Sequence, residues 1–152
     1  MKIRTALRTV VLATVALTAG AVVAAGGPAA AADVQPQAIG TYYVDVHTAN
    51  LDDAGTSGRV RLTAFGDEAQ SPGTTLGWGF DRGTTRHFGP FNWIHLGNIG
   101  YISLGKNGDG SDWIPEYVDI YAQHTGTLFH CDTHYARYPA SGDTKFFDCV
   151  KV

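Results

Sequence analysis

The feature that most constrains this chain is a series of short segments in which apolar and polar residues alternate one by one, each closed by Gly, Asp, Asn, Ser or Pro. In "TYYVDVHT", Tyr42, Val44 and Val46 fall on one side and Tyr43, Asp45 and His47 on the other. "RVRLTAF" repeats the pattern, with Val60, Leu62 and Ala64 opposed to Arg59, Arg61 and Thr63. "TTLGWGF", "TRHFGPF", "IGYISLG", "EYVDIYA", "GTLFHCD" and "TKFFDCV" follow. Side chains of a strand point alternately to opposite faces. These segments, with no stretch of helical period, predict an all-β fold: an eight-stranded antiparallel β-sandwich of two four-stranded sheets, its core made by the inward faces. Pro115 cannot donate to a ladder, so the strand in "EYVDIY" is expected to begin at or after it.

The two ends of the chain carry different signals. Lys2, Arg4 and Arg8 precede an apolar run from Val10 to Val23, and "PAAAADV" follows with Ala30 and Ala32 at the small-residue positions of a leader-peptidase site. Residues 1–32 read as a secretory leader, because the run is shorter than the roughly 20 residues that a membrane span needs. Residues 33–39, with Pro36, read as a linker, and 40–152 as one domain exported from the cell. Beyond Ala32, eight basic residues face 14 acidic ones, a net charge of −6 with His neutral. Bulk attraction to nucleic acid or to anionic lipid is thereby disfavoured, though a bound divalent cation would reverse this locally, and a monomer is expected. Cys131 and Cys149 are an even pair in an exported chain, so they are expected to form a disulfide that ties "FFDCVKV" to "TLFHCD" and contributes about 3 kcal/mol.

The stretch "KNGDGSDW", residues 106–113, alternates oxygen-bearing side chains with glycines like the start of a calcium loop. Counted from Asn107, however, the sixth position is Asp112 and the twelfth Val118, where an EF-hand requires Gly and a bidentate Glu. Any cation here needs ligands from elsewhere. On a strand, His124 and His130 would lie about 20 Å apart, too far to share a zinc ion, which leaves only His130, Asp132 and His134 able to converge. No nucleophile elbow, zinc-protease helix or phosphate loop is present in the sequence. The chain is therefore not expected to be an enzyme. The one hydrolase reading would pair Ser111 with His95 or His124.

Taken in order, several stretches resemble the PLAT domain, the β-sandwich of polycystins, lipoxygenases and clostridial alpha-toxin. They are the opening Y-x-V-x-V-x-T strand at Tyr42, Val44, Val46 and Thr48, the loop and strand "DDAGTSGRVRL", the turn "DRGTTRHF", and the long signature "LGNIGYISLGKNGDGSDWIPEYVDIY". "LFHC" matches the final strand, and the resemblance spans residues 40 to about 135. The chain departs from the family in having "DTHYARY" where a Trp-Leu pair is usual, in its appended cysteine tail, and in a middle loop, "GDEAQSPGTT", short of the carboxylates of alpha-toxin.

The resemblance implies that the first hairpin loop and the loop before the Trp113 strand share one end of the sandwich and hold calcium between them. Carried onto this chain, the ligands would be Asp53, the Gly55 carbonyl, and Asp109, Ser111 or Asp112. Their chemistry suits calcium, which takes six to eight hard oxygens at about 2.3 to 2.6 Å, and carboxylates crowded at one rim repel without a cation. The resemblance further implies a non-catalytic module that binds lipid or membrane surfaces. Trp78, Phe91 and Trp93, in "LGWGF" and "GPFNW", are the candidate rings for a bilayer interface. Recognition of a protein partner is the alternative, through a sheet face carrying Arg59 and Arg61 with Tyr43, His47, Tyr117 and Tyr121.

Overall fold

The computed structural model describes residues 37–152, so the expected leader 1–32 and most of the expected linker lie outside the described residues. Nine strands follow in order: β1 (Ile39–Thr48), β2 (Val60–Gly66), β3 (Thr74–Gly77), β4 (Thr85–Ile94), β5 (Ile99–Asn107), β6 (Pro115–Ala122), β7 (Thr127–Asp132), β8 (Gly142–Asp148) and β9 (Val150–Lys151). They form a five-stranded sheet, β4-β1-β6-β7-β9, and a four-stranded sheet, β3-β2-β5-β8, with every pairing antiparallel. All eight expected segments are strands. The ninth corrects the count of two four-stranded sheets: beyond β8 the chain crosses at Cys149 to the other sheet, where the Cys131–Cys149 disulfide holds it against β7 and Phe129 and His130 pair with Lys151 and Val150.

The alternation of the sequence translates directly into the layers. Tyr42, Val44 and Val46 of β1 face Val60, Leu62 and Ala64 of β2 across the core, and all six are fully buried. β3 ends at Gly77 because Gly77 and Gly79 take positive φ values of 125° and 74°, which side-chain-bearing residues avoid. Pro90 sits in β4, an edge strand of its sheet, where its missing N–H leaves no ladder bond unmade. Trp113 is buried in the loop just before β6, donating its indole N–H to Thr48 Oγ1 at 3.2 Å. Beside it, Tyr138 donates its hydroxyl to the Leu104 carbonyl at 2.8 Å, and burial, followed by the nearby Asp143, pushes its phenol far above the ordinary range.

The strand directions gather four loops at one end of the sandwich: 49–59, 78–84, 108–114 and 133–141. Backbone hydrogen bonds lace them together. Ile114 N–H donates to the Ala54 carbonyl at 3.0 Å, Ala49 N–H to the Ile114 carbonyl at 2.9 Å, and Thr56 and Phe80 exchange a pair of bonds. The candidate site sits here.

Candidate functional site at the loop end

Asp53 occupies the left-handed region, with φ 56°, in the exposed turn after β1. Two residues on, Gly55 lies so close to the β3–β4 loop that an added Cβ would stand 3.1 Å from the Phe80 carbonyl oxygen. This close packing holds the first loop against the second. Asp53, Gly55, Gly110, Ser111 and Asp112 together line an open concavity of about 360 Å³. Four of the five expected ligands thus meet across one rim.

Asp109 does not join them. Its carboxylate accepts from Lys106 Nζ at 2.5 Å, Ser111 Oγ at 2.6 Å, Ser57 Oγ at 2.8 Å and Thr56 Oγ1 at 3.0 Å. Burial pushes its carboxyl up, but the bonds from Lys106, Ser111 and Ser57 outweigh that and hold it far below the usual carboxylate range. The Lys106 side chain is wholly buried, and its ammonium supplies the positive charge that the family resemblance assigned to a metal. Asp109 is therefore corrected from a rim ligand to the anchor of its own loop. Asp112 keeps its place in the concavity and accepts from Arg137 at 2.7 Å. Among the described residues, no group of three or more His, Cys, Asp or Glu has the geometry to hold a metal ion. The oxygens available to a hard cation are those of the Asp53 and Asp112 carboxylates, the Gly55 carbonyl and the Ser111 hydroxyl.

The aromatic candidates separate. Trp78 is 63% exposed at the start of the β3–β4 loop, at the same end as the concavity. Arg86 donates to the Trp78 and Gly79 carbonyls and lies over the Phe80 ring, 5.0 Å from its centroid, which fixes the loop beneath the indole. Trp93 and Phe91 are corrected: Trp93 is buried between Phe91 and Tyr42, with ring centroids 5.1 and 5.2 Å away, toward the opposite end of β4. The proposed sheet face is also corrected, because Arg59 and Arg61 belong to the four-stranded side whereas Tyr43, His47, Tyr117 and Tyr121 lie on the five-stranded sheet. Ser111 sits at the loop end, while His95 and His124 pack edge to face 4.8 Å apart at the other end.

The sequence reading missed three residues here. Leu51 and Tyr135 are exposed apolar side chains in loops of the same end as Trp78, and nothing in loop composition distinguishes them. Lys106 had a signal: it continues the inward alternation of Ile102 and Leu104 three residues before an aspartate.

The geometry is that of a two-sheet antiparallel β-sandwich, and comparison with known proteins assigns its family. The PLAT/LH2 domain family profile matches residues 42–147. The chain belongs to the PLAT/LH2 domain family. Solved structures agree in fold: an internally deleted LOX variant matches with TM-score 0.66 and 18% identity over 74% of this chain and 17% of that one. A coral 8R-lipoxygenase, described as activated by calcium via a C2-like domain, matches with TM-score 0.58 and 19% identity over 73% and 17%. A calcium-dependent 11R-lipoxygenase matches with TM-score 0.56 and 23% identity over 72% and 17%. This PLAT chain thus spans about a sixth of each of these proteins. No curated protein sequence gives a significant match.

Proposed function

We propose that this PLAT protein is a secreted, non-catalytic module that docks on lipid surfaces by its loop end, assisted by calcium. The observation that carries the reading is the exposure of Trp78 on the end where Asp53, Gly55, Ser111 and Asp112 surround one concavity. An indole set on a rigid loop suits the bilayer interface, where an apolar body and a polar N–H are both accommodated. Leu51 and Tyr135 add apolar surface to the same end. Calcium fits the chemistry of the donors, two carboxylates with a carbonyl and a hydroxyl, and water would complete its coordination. Bound there, calcium supplies positive charge between the carboxylates and an anionic headgroup, against the net charge of −6 beyond Ala32. With Asp109 committed to Lys106, the site belongs to the weak extracellular class, with dissociation constants of roughly 0.1 to 1 mM. That two lipoxygenases with this fold are described as calcium-activated or calcium-dependent supports the same reading.

Calorimetric titration tests the calcium part. Saturable binding that Asp53→Asn with Asp112→Asn abolishes is expected; binding that survives the double substitution would contradict it.

Recognition of a protein partner is supported by a separate observation. Phe65, Tyr101 and Phe146 form an aromatic patch on the outer face of the four-stranded sheet, the side of Arg61, with Phe146 65% exposed and the Phe65 and Tyr101 rings stacked 4.5 Å apart. A partner held there would be captured equally with calcium or chelator, and Phe146→Ala would release it.

A further inference from the structure

The outer face of the five-stranded sheet carries a row that the loop-end reading does not use. Its register places His87 of β4 opposite Asp45 of β1, Asp45 opposite Asp119 of β6, and Asp119 opposite His130 of β7. His87 Nδ1 lies 2.7 Å from Asp45 Oδ1, and His130 Nδ1 lies 2.6 Å from Asp119 Oδ1. Each carboxylate is thus engaged from its outer flank, while the two face one another across β1 and β6. Like charges directly opposed on neighbouring strands destabilise a sheet unless something positive lies between them.

One step along the same strands, Tyr43 and Tyr121 are register partners on the same face. The Tyr43 ring leans over β4, where a Cβ added at Gly89 would stand 3.2 Å from its Cδ1, and Tyr121 stands opposite Leu128 of β7. Between them opens a concavity of about 340 Å³ lined by Tyr43, Asp45, Asp119, Tyr121 and Leu128. Its walls are aromatic and aliphatic, and besides the two tyrosine hydroxyls its polar groups are two carboxylates, each with one oxygen left over from its histidine. Such a cavity is of the size that holds small ligands.

We propose that this concavity is a binding site for an organic ammonium cation of the choline type. A quaternary ammonium is weakly hydrated, favours aromatic faces and needs no hydrogen-bond acceptor of fixed direction. The opposed carboxylates supply the field that attracts it, and Leu128 supplies apolar contact for its methyl groups. A bare metal ion fits less well, since among the described residues no set of three or more acidic, His or Cys ligands converges. The site is separate from the loop end, and neither Trp78 nor Asp53 contributes to it.

The test is a titration of the protein with choline chloride, followed by amide and aromatic NMR shifts, with sodium chloride at matched ionic strength as control. The neutral carbon isostere 3,3-dimethylbutan-1-ol is titrated in parallel. Saturable shifts around Tyr43, Asp119, Tyr121 and Leu128 are expected with choline alone, and affinity should fall about tenfold or more in Asp45→Asn with Asp119→Asn and in Tyr121→Leu. Shifts that match sodium chloride, or equal binding of the neutral isostere, would overturn the proposal without recourse to any variant. Saturable choline binding that both variants leave intact would place the cation elsewhere and overturn it as well.

Discussion

Lys106 and Asp109 define how the loop end is held. A wholly buried lysine is tolerated only when paired and hydrogen-bonded, and here a carboxylate and two backbone carbonyls, those of Asn107 and Pro139, lie around its ammonium. Removing one partner leaves the other charge buried alone. Asp109→Ala is therefore expected to lower the unfolding free energy by about 3 kcal/mol in urea melts. Lys106→Met combined with Asp109→Ala should cost clearly less than the two single changes added together. The pH dependence has a definite sign. The Asp109 carboxyl is held far below its unfolded value, so its contribution is fully present above about pH 4 and is lost as the pH falls further. Asp109→Asn should flatten the loss of stability between about pH 4 and pH 2; an unchanged slope would show that other carboxylates govern it. What the sequence made legible at this scale was residue type. Asp53, Gly55, Ser111 and Asp112 were picked out by oxygen chemistry together with a family resemblance, and they do share a rim. Asp109 was misassigned because a hydrogen-bond partner three residues back looks, in a sequence, like one more charged residue in a polar loop.

At the scale of strands, alternation located every expected segment, since one inward face must be apolar for a sandwich to have a core. The missing ninth strand was beyond that signal. Two residues, Val150 and Lys151, have no period to read, and they become a strand because the disulfide to Cys131 carries the tail across to β7. Replacing both cysteines with alanine should cost about 3 kcal/mol. It should also raise hydrogen exchange at Val152, whose N–H donates to the Leu128 carbonyl at 3.0 Å, well before the β1–β6 ladder is affected. Protection of Val152 unchanged in that variant would mean that the β7–β9 pairing stands without the bridge. Trp78 and Trp93 mark the limit of alternation at short range. Both lie in glycine-flanked aromatic runs. One ends a strand at the positive-φ glycines and points to solvent, while the other sits within β4 and faces the core. The sequence does not show where β3 stops, and that stop decides which ring is exposed.

For the whole molecule, the organising fact is that the strand directions bring four loops, an exposed indole and an oxygen-lined concavity to one end, and leave the two outer sheet faces for other contacts. The arrangement gives the proposed membrane docking a direct optical readout. Trp93 and Trp113 are buried, so among the three tryptophans Trp78 is the one whose surroundings change when the loop end meets a bilayer. The measurement that tests the central claim is tryptophan emission during titration with phosphatidylserine-containing vesicles, in about 1 mM calcium and again in excess chelator. A saturable blue shift is expected in calcium, reversed by the chelator and abolished by Trp78→Ala while the thermal midpoint stays unchanged. An emission spectrum that vesicles leave unaltered in both conditions, or a shift that persists in Trp78→Ala, would contradict it.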